Sequence, residues 1–358
     1  MKYNCLVLPN DPLSIYVKQG NLDQFMDRFR YYADNLGPVY ILNVDKGSVT
    51  FSYPNIKIIN VAASKIKLIS LLKQAYYTFK LCKKYKINFT RALEGSTFVK
   101  SALLGLVSKI RRIPFVCSIH GTYRGLAKTY NYGVFHKILF RFCEFITKYA
   151  VSLTFVIDKM YIDELKWKNM YLVPNFVDCK LFKPQKITKE YDAIYVGSLI
   201  PRKGIEYLVK TFDIVRQKFP LFKLAIIGAG PIEIPRKKGL IYLGPIPHNK
   251  LPDYYNKAKF FITATLHEGF AIPIIEAQAC GLPIIATDLE PFHNNTIVGK
   301  TAFLSLPKNS EAMAKNIFFI LDKENWKTSG NNARLFVTKK YNMNVILNYE
   351  IELIKKNI

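Results

Sequence analysis

The chain lacks long apolar runs, closely spaced cysteines and a balancing number of acidic residues. No stretch approaches 18 consecutive apolar residues, so we expect no membrane-spanning helix. Its six cysteines are scattered, without a Cys-x-x-Cys pair, which argues against a zinc site or a disulfide framework and predicts reduced thiols. The apolar run before Pro9 is too short for a signal peptide. These absences predict a cytoplasmic protein, with the inner face of the membrane as a further location.

The charge of the chain is strongly one-sided. Lys and Arg number 52 against 26 Asp and Glu, giving a net charge of +26. Residues 1–185 carry 28 basic and 11 acidic side chains, so most of the excess lies in the first half. This charge predicts an acidic partner, either a nucleotide, nucleic acid or an anionic lipid surface. The alternative is a lysine-rich surface that only faces water.

The length and the pattern of apolar residues predict two α/β domains. The chain has 358 residues, half of them hydrophobic, which is enough for two packed cores and excludes a disordered protein. Short β-branched runs alternate with helical periodicity, as in doubly wound parallel sheets. We expect an N-terminal domain over 1–172, a Pro- and Lys-rich linker over 173–190 and a C-terminal domain over 191–340.

Predicted strands end where ligands bind in such folds. The strands are expected at 3–9, 38–44, 56–61, 114–120 and 152–157 in the first half, and at 191–198, 222–228, 240–244, 259–264 and 283–287 in the second. Ligands of open α/β sheets sit outside the carboxyl ends of the strands. The interesting loops therefore follow His120, Ser198, Gly228 and Ala264, facing a cleft between the two domains.

Residues 260–287, FFITATLHEGFAIPIIEAQACGLPIIAT, form the most informative segment. A strand ends near Ala264, and Pro273 suits the first turn of a helix that Gly281 ends. The N–H groups of Phe270, Ala271 and Ile272 then point out of the helix N-terminus, which is a suitable site for a diphosphate.

Two glutamates flank that helix N-terminus. Glu276 lies one turn into the helix, where it could accept a ribose hydroxyl, and Glu268 lies in the loop, where a sugar would project. Taken alone, Glu276 could simply complement its helix dipole and Glu268 could be a solvated loop residue. The whole string, with seven residues between the two glutamates, resembles the donor-binding signature of retaining glycosyltransferases of the GT-B fold, most closely glycosyltransferase family 4.

Other segments resemble the same family in the expected order. YVGSLIPRKGIEYLVKTF (195–212) is similar to the first strand, loop and helix of its C-terminal domain, IIGAGP (226–231) to the following turn, and VPNFVD (173–178) to its interdomain turn. The resemblance implies that Lys203 binds the donor phosphates and that Gly197 and Gly228 lie at the donor site. SIHGTYR (118–124) matches the active-site His-Gly loop and implies a catalytic role for His120.

The chain departs from the family pattern at several positions. Ser198 stands where an arginine is usual, and Arg202 is the candidate for the missing second cation. Ala271 replaces a common glycine but keeps its backbone N–H. The glycine-rich loop that often follows the first strand is reduced to Gly20.

The resemblance implies two Rossmann-like domains and transfer of a sugar from a nucleotide-diphospho-sugar to an acceptor hydroxyl, with retention of configuration. No Asp-x-Asp motif is present, so we expect no metal ion and no other cofactor. The resemblance also implies that the final helix, about 341–356, packs back on the N-terminal domain. Polysaccharide, glycolipid and small-molecule acceptors all stay open, as does the nucleotide.

A lysine-rich helix over 65–86 is the candidate for a membrane contact. Its apolar residues Leu68, Leu72, Ala75 or Tyr76, and Phe79 follow helical spacing. They either pack on the sheet with the lysines in water, or the basic face contacts anionic lipid, with KIRR (109–112) extending it.

Two other functions remain open at this point. One is an isomerase or phosphorylase on the same fold, because a fold does not fix chemistry. The other is a non-catalytic basic protein that binds membrane or nucleic acid, although no nucleic-acid motif is present.

Overall fold

The chain folds into two α/β units, each built on a parallel sheet. A computed structural model describes residues 2–94, 97–122 and 133–358, without the side chain of Glu94. The first unit comprises Met1–Pro174 and Leu347–Ile358, and the second comprises Asn175–Ile346. The predicted fold class is confirmed, because every strand pairing in both sheets is parallel.

Seven strands form the sheet of the first unit. They are β1 (Cys5–Leu8), β2 (Val39–Asp45), β3 (Ile56–Ala62), β4 (Phe89–Glu94), β5 (Phe115–Ile119), β6 (Leu153–Val156) and β7 (Met170–Leu172). Their order across the sheet is β3-β2-β1-β4-β5-β6-β7. The central strands β1 and β5 are buried along their whole length, as expected of a sheet covered on both faces.

The sequence did not predict β4 or β7. β4 lies at the centre of the sheet, but it contains Thr90 and Arg91, which are both completely buried. These polar residues interrupt the apolar run by which a buried parallel strand is recognised in a sequence. β7 has only three residues, which is too short for any period to show.

Helices connect these strands: α1 (Leu13–Lys18), α2 (Leu22–Asn35), α3 (Lys67–Lys84), α4 (Val99–Ile110), α5 (Val134–Ala150) and α6 (Lys159–Leu165). Gly20, which we expected in the loop after the first strand, instead follows α1, where its φ of +67° suits a helix end. The loop that directly follows β1 contains Pro9 and Pro12. Gly20 therefore lies between β1 and α2, separated from β1 by the short helix α1.

Helix α3 does not pack its apolar stripe on the sheet. Its buried residues are Gln74, Thr78, Leu81 and Cys82. Of the residues that the periodicity singled out, Ala75 is partly buried and the four large ones are exposed: Leu68, Leu72, Tyr76 and Phe79. Of the two alternatives for this helix, packing of the stripe against the sheet is thus wrong.

Six strands form the sheet of the second unit: β8 (Tyr191–Val196), β9 (Leu224–Ile227), β10 (Leu240–Gly244), β11 (Ala258–Thr263), β12 (Ile284–Thr287) and β13 (Ala302–Ser305). Their order is β10-β9-β8-β11-β12-β13. The strand order changes direction between β8 and β11, which is the point at which doubly wound sheets bind ligands. The edge strand β13 was not predicted from the sequence.

The helices of the second unit are α7 (Ile205–Lys218), α8 (Leu251–Asn256), α9 (Ile272–Ala279), α10 (Glu290–Asn295), α11 (Ser310–Leu321) and α12 (Asn325–Lys340). α7 and α11 pack together against one face of the sheet, over a core that includes Phe212, Phe260 and Ile317. The last helix, α13 (Met343–Asn357), begins in the second unit, and its residues from Leu347 onward belong to the first. None of the helices in the described part of the chain is sufficiently long and apolar to span a bilayer. All six cysteines are buried and unbridged.

A buried ionic cluster fixes the last helix in the first unit. Glu350 is completely buried and forms an ion pair with Arg91 of β4, and the hydroxyl of Tyr32 donates to the same carboxylate. The Nε atom of Arg28 lies 3.6 Å from the other carboxylate oxygen. Burial alone would raise the pKa of Glu350, but the two guanidiniums hold it below its ordinary value. The carboxylate therefore stays charged and holds α13 against α2 and β4.

We expect Glu350→Gln to destabilise the first unit by about 3–5 kcal/mol, because two buried guanidiniums lose their carboxylate. Denaturant unfolding followed by the fluorescence of Trp167, in a Trp326→Phe background, reports on that unit. Glu352→Gln on the exposed side of the same helix is the control and should change stability little. Equal effects of the two substitutions would contradict the assigned role of the cluster.

Candidate functional site

The loops that follow β8 and β11 meet at the switch point of the second sheet. The backbone N–H of Leu266 donates to the carbonyl of Arg202 at 2.9 Å, and the hydroxyl of Thr265 donates to the same carbonyl at 3.2 Å. The β8 loop ends in a single 3-10 turn over Pro201–Lys203. Hydrogen bonds thus join the two segments that the sequence predicted to surround the donor.

Gly204 makes this close approach possible. It follows Lys203 with φ of +65°, a left-handed conformation that favours glycine. A Cβ atom at this position would lie 2.0 Å from the carbonyl oxygen of Ala264. Only glycine therefore lets helix α7 start directly against the end of β11, which places Lys203 beside the β11 loop.

Lys203 and Glu268 form an ion pair at the mouth of this loop. Arg202 lies beside them, with Nη1 donating to the carbonyl of His267 at 2.9 Å and lying 3.7 Å from Oε1 of Glu268. The structure thus brings together three of the charged residues that the sequence singled out: Arg202, Lys203 and Glu268. Ser198, which stands in place of the usual arginine, accepts a hydrogen bond from the Tyr195 hydroxyl through its carbonyl at 3.0 Å.

The N-terminus of α9 opens next to the ion pair. Ala271 occupies the N-cap position and provides no capping side chain, and the first turn contains Pro273 and no acidic residue. A small cavity is lined by Lys203, Glu268, Ala271 and Pro273, among other residues. A helix end with unsatisfied N–H groups and a lysine beside it attracts an anion.

Phe270 and Ile272 differ in their surroundings. The Phe270 side chain is largely buried and packs edge-on against Tyr341, with 5.9 Å between the ring centroids. Ile272 is the first residue of α9 and is partly buried. Packing of the Phe270 ring fixes the backbone just before the helix, where the predicted anion-binding N–H groups lie.

Glu276 already has two protein partners. Its side chain is buried, and it accepts a hydrogen bond from the Tyr255 hydroxyl at 3.0 Å. His248 Nε2 lies 2.6 Å from its other carboxylate oxygen. Burial raises the pKa of Tyr255 well above its ordinary value, so this hydroxyl keeps its proton and donates. The sequence did not single out His248 or Tyr255 for this contact, since they lie 28 and 21 residues away from Glu276 and no motif marks them.

Gly197 and Gly228 lie side by side at the ends of β8 and β9. The N–H of Gly197 donates to the carbonyl of Ile227 at 3.0 Å. Gly228 has φ of +142°, and a Cβ atom there would lie 1.8 Å from the carbonyl oxygen of Gly197. The two backbones are therefore in contact at these glycines, at the carboxyl ends of β8 and β9. This is the side of the sheet on which the sequence predicts the donor site.

His120 directly follows β5 and belongs to the first unit, whereas the residues around α9 belong to the second. Its carbonyl accepts a long hydrogen bond of 3.4 Å from the Tyr161 hydroxyl. Burial, together with the positive charges of Arg28 and Arg91, lowers the pKa of its imidazole to about 3, although the negative charge of Glu350 opposes this shift. The imidazole is therefore neutral at physiological pH. The predicted His-Gly loop continues beyond residue 122 into the segment that lies outside the described residues.

A family model decides what the second unit is. Residues 178–335 match the model described as Glycosyl transferases group 1. These residues form a glycosyl transferases group 1 domain. All of the charged residues and glycines described at the switch point lie within it, whereas His120 lies outside.

Curated relatives of the chain are similar over part of their length. The O-antigen chain mannosyltransferase B of Escherichia coli is 25% identical over 182 residues, which is 48% of this chain and 47% of the relative. The putative teichuronic acid biosynthesis glycosyltransferase TuaC of Bacillus subtilis (strain 168) is 27% identical over 242 residues, 62% of this chain and 59% of the relative. The matches thus span about half the length of these relatives.

A solved structure shares the fold of the whole chain. Anabaena Alr3699/HepE, in complex with UDP and glucose, superposes with a TM-score of 0.74 and covers 98% of this chain and 99% of its own, at 15% identity. The fold of the chain is therefore that of GT-B glycosyltransferases, with a group 1 domain as its second unit.

We expect Gly204→Ala to destabilise the group 1 domain more than Gly244→Ala does. Both glycines have positive φ, at +65° and +71°, so both variants carry a backbone cost of about 1–2 kcal/mol. Only the Gly204 variant adds a clash, because no atom of the residues that the structure describes lies within 4 Å of a Cβ atom at Gly244. Unfolding followed by Trp326 fluorescence in a Trp167→Phe background measures the difference, and equal losses would show that the approach to Ala264 is not tight.

The pKa of His120 predicts how the stability of the first unit depends on pH. In the unfolded chain the imidazole takes up a proton near pH 6.5, but in the folded unit only near pH 3. Its contribution to stability is therefore present above pH 6.5 and is lost as the pH falls, by up to about 1.4 kcal/mol per pH unit. His120→Asn should flatten this slope between about pH 6.5 and pH 5, where few carboxylates titrate.

Trp167 fluorescence in the Trp326→Phe background measures that slope in a denaturant series. The exposed His293, in the second unit, supplies the control, and His293→Asn should leave the slope of the first unit unchanged. An unchanged slope in the His120 variant would show that its imidazole titrates normally in the folded unit.

Proposed function

We propose that the protein is a retaining, metal-independent hexosyltransferase of glycosyltransferase family 4, which transfers a sugar from a nucleotide-diphospho-sugar to an acceptor hydroxyl. One observation carries this proposal: Lys203, Glu268 and the open N-terminus of α9 converge at the switch point of a group 1 domain. A structural neighbour that was solved with UDP and glucose supports a nucleotide-sugar as donor.

The donor would lie along the carboxyl edge of the second sheet. Its diphosphate would bind Lys203, Arg202 and the N–H groups of Phe270, Ala271 and Ile272. The ribose hydroxyls would bind Glu276, whose carboxylate is oriented in advance by Tyr255 and His248. The turn at Gly197 and Gly228 would let the nucleotide approach the backbone closely, because neither residue has a side chain in the way.

The ion pair between Lys203 and Glu268 suggests how the donor is received. When the diphosphate binds, its oxygens replace the Glu268 carboxylate as partners of Lys203. Glu268 then becomes free to accept hydrogen bonds from the hydroxyls of the donor sugar. The pair thus keeps both charges compensated in the empty site and releases two oppositely charged groups for two parts of the same ligand.

In the reaction, the bond between the anomeric carbon and the diphosphate oxygen breaks, and its electron pair stays on that oxygen. Lys203, Arg202 and the helix N-terminus stabilise the negative charge that develops there. The acceptor oxygen bonds to the anomeric carbon on the same face, and its proton passes to the departing diphosphate. A lysine about 4 Å from this charge contributes on the order of 4 kcal/mol at an effective dielectric constant of about 20.

His120 is proposed as the catalytic residue of the first unit, on the basis of the family resemblance. Its imidazole is neutral, so it can accept or donate a single hydrogen bond at the acceptor without adding charge. The acceptor is proposed to be a growing cell-surface polysaccharide or a lipid-linked oligosaccharide, since similar proteins are named for O-antigen and teichuronic acid synthesis. The protein would work in the cytoplasm at the inner membrane face, where the basic residues of 65–86 and 109–112 favour anionic lipid.

A thermal-shift panel with UDP, GDP, ADP, CMP and their sugars tests the donor site. A bound ligand stabilises the folded protein by mass action, so a weak donor registers at high concentration. We expect a shift with one nucleotide family in the wild type and a much smaller shift in Glu276→Ala. Glu311→Ala, at an exposed position of α11, is the matched control and should respond as the wild type does.

Turnover with the donor identified in this way tests the chemistry. Lys203→Ala should lower kcat by orders of magnitude while the fold survives, and EDTA should leave activity nearly intact. Phosphate-dependent turnover without an acceptor would favour a phosphorylase. No nucleotide response in the wild type, together with nucleic acid binding that salt abolishes, would favour a non-catalytic basic protein.

A further inference from the structure

Three neighbouring helices of the first unit form one layer on its sheet. α4 packs against both α3 and α5. At Gly105 the approach to α5 is so close that a Cβ atom would lie 2.8 Å from the Cβ of Ala150. Lys109 Nζ donates to the carbonyl of Tyr149 at 3.1 Å, and the Arg111 guanidinium lies 4.7 Å from the centre of the Phe79 ring. The outward sides of the three helices therefore join into a single surface.

Helix α5 presents an apolar stripe on this surface. Its inward side buries Phe140, Cys143 and Thr147. Its outward side carries large apolar residues at alternating spacings of three and four, with exposed fractions of 59–73%: Phe135, Ile138, Phe142, Phe145 and Tyr149. This helix is thus apolar on the side that faces away from the core as well as on the side that faces it.

The stripe of α5 continues across α4 to the stripe of α3. Leu106 and Ile110 of α4 are exposed between them, and the outward residues of α3 are those that failed to pack on the sheet. Together these exposed residues of the three helices form a surface that we call the outer apolar face. It consists of Leu68, Leu72, Tyr76, Phe79, Leu106, Ile110, Phe135, Ile138, Phe142, Phe145 and Tyr149. A contiguous apolar area of this kind on a protein surface marks an interaction site.

The charge of the same helices indicates which partner the outer apolar face contacts. α3, α4 and α5 together contain ten Lys and Arg residues and a single acidic residue, Glu144. A second copy of the chain would bring two such basic surfaces together, which is unfavourable. Nucleic acid would match the charge, but it offers no apolar counterpart for the leucines and isoleucines. An anionic bilayer matches both, since its headgroups attract the lysines and its acyl chains take up the apolar side chains.

We propose that the outer apolar face inserts into the interface of an anionic lipid bilayer and anchors the first unit to the membrane. The outer apolar face extends the membrane contact from the basic segments 65–86 and 109–112 to α5. It also adds the insertion of apolar side chains to the electrostatic attraction of the lysines. This proposal deepens the proposed function. It rests on that function only for the purpose of the anchor, which is to place the first unit at a surface that carries lipid-linked acceptors.

Co-sedimentation of the full chain with vesicles tests the proposal. One set of vesicles is pure phosphatidylcholine, and the other is an equimolar mixture of phosphatidylcholine and phosphatidylglycerol. We expect binding to the mixed vesicles to exceed binding to the neutral ones by about tenfold or more, because each lysine near an anionic surface contributes. Part of the binding should persist as salt rises from about 0.1 M to about 1 M, because insertion of apolar side chains is not screened.

Paired variants separate the two contributions. F142Q/F145Q should lower vesicle affinity at both salt concentrations, and K80E/K83E should lower it mainly at low salt, each by about tenfold. The matched controls lie in the second unit: L221Q/L335Q changes two exposed leucines, and K210E/K218E reverses two exposed lysines on α7. These controls should bind vesicles nearly as well as the wild type. Unchanged thermal unfolding of each variant excludes misfolding as the cause.

The outcomes are distinguishable from those of the donor-site proposal. Lys203→Ala should lose sugar transfer but bind vesicles normally. The donor-site proposal and the membrane proposal can therefore fail separately. Absence of binding to mixed vesicles, or equal losses in the face variants and in their controls, would overturn the proposal. A concentration-dependent dimer that F142Q/F145Q abolishes would replace the bilayer with a second copy, and tighter binding to DNA than to vesicles would replace it with nucleic acid.

Discussion

The close approach of two backbones at Gly204 and Ala264 is the constraint on which the candidate site depends. All strands of the second sheet are parallel, so their carboxyl ends lie at one edge, but adjacent strands alone do not bring their loops into contact. The absence of a side chain at Gly204 lets the β8 loop lie against the end of β11. Lys203 and Glu268 then pair, although 65 residues separate them. The same contact aligns the open end of α9 with the cation.

In the first unit, a buried ionic cluster holds the last helix, α13, in place. Glu350 enters its core and is surrounded by Arg28, Arg91 and Tyr32. Buried ion pairs of this kind add little stability compared with apolar packing, but removing one partner is costly. The cluster therefore specifies where α13 docks. It also sets the electrostatic environment of His120, whose imidazole stays neutral because of burial and the neighbouring guanidiniums.

Much of the fold, and the segments that meet at the candidate site, could be predicted because the signals are local. The strands with continuous apolar runs, such as β1 and β9, were recognised, and so were the glycines of the β8 and β9 turns and the two glutamates around α9. β4 was missed because Arg91 interrupts its apolar run, and its charge is acceptable only through a partner 259 residues away. His248 and Tyr255 were missed for the same reason: their contact with Glu276 is a property of the packed unit and not of any short segment.

Four properties of the protein follow directly from its sequence: the α/β class, the charge, the helical spacing of the apolar residues and the glycines that tight turns require. These properties are set within a few residues, by backbone sterics and by hydrophobic period. The direction in which each helix faces, by contrast, becomes defined only when the units pack. In α3 the apolar stripe was visible in the sequence, yet Gln74 and Thr78 are buried and the stripe is exposed. Periodicity defines a face, but packing against α4 and the sheet chooses which face is buried, since that choice depends on surfaces that are distant in the chain.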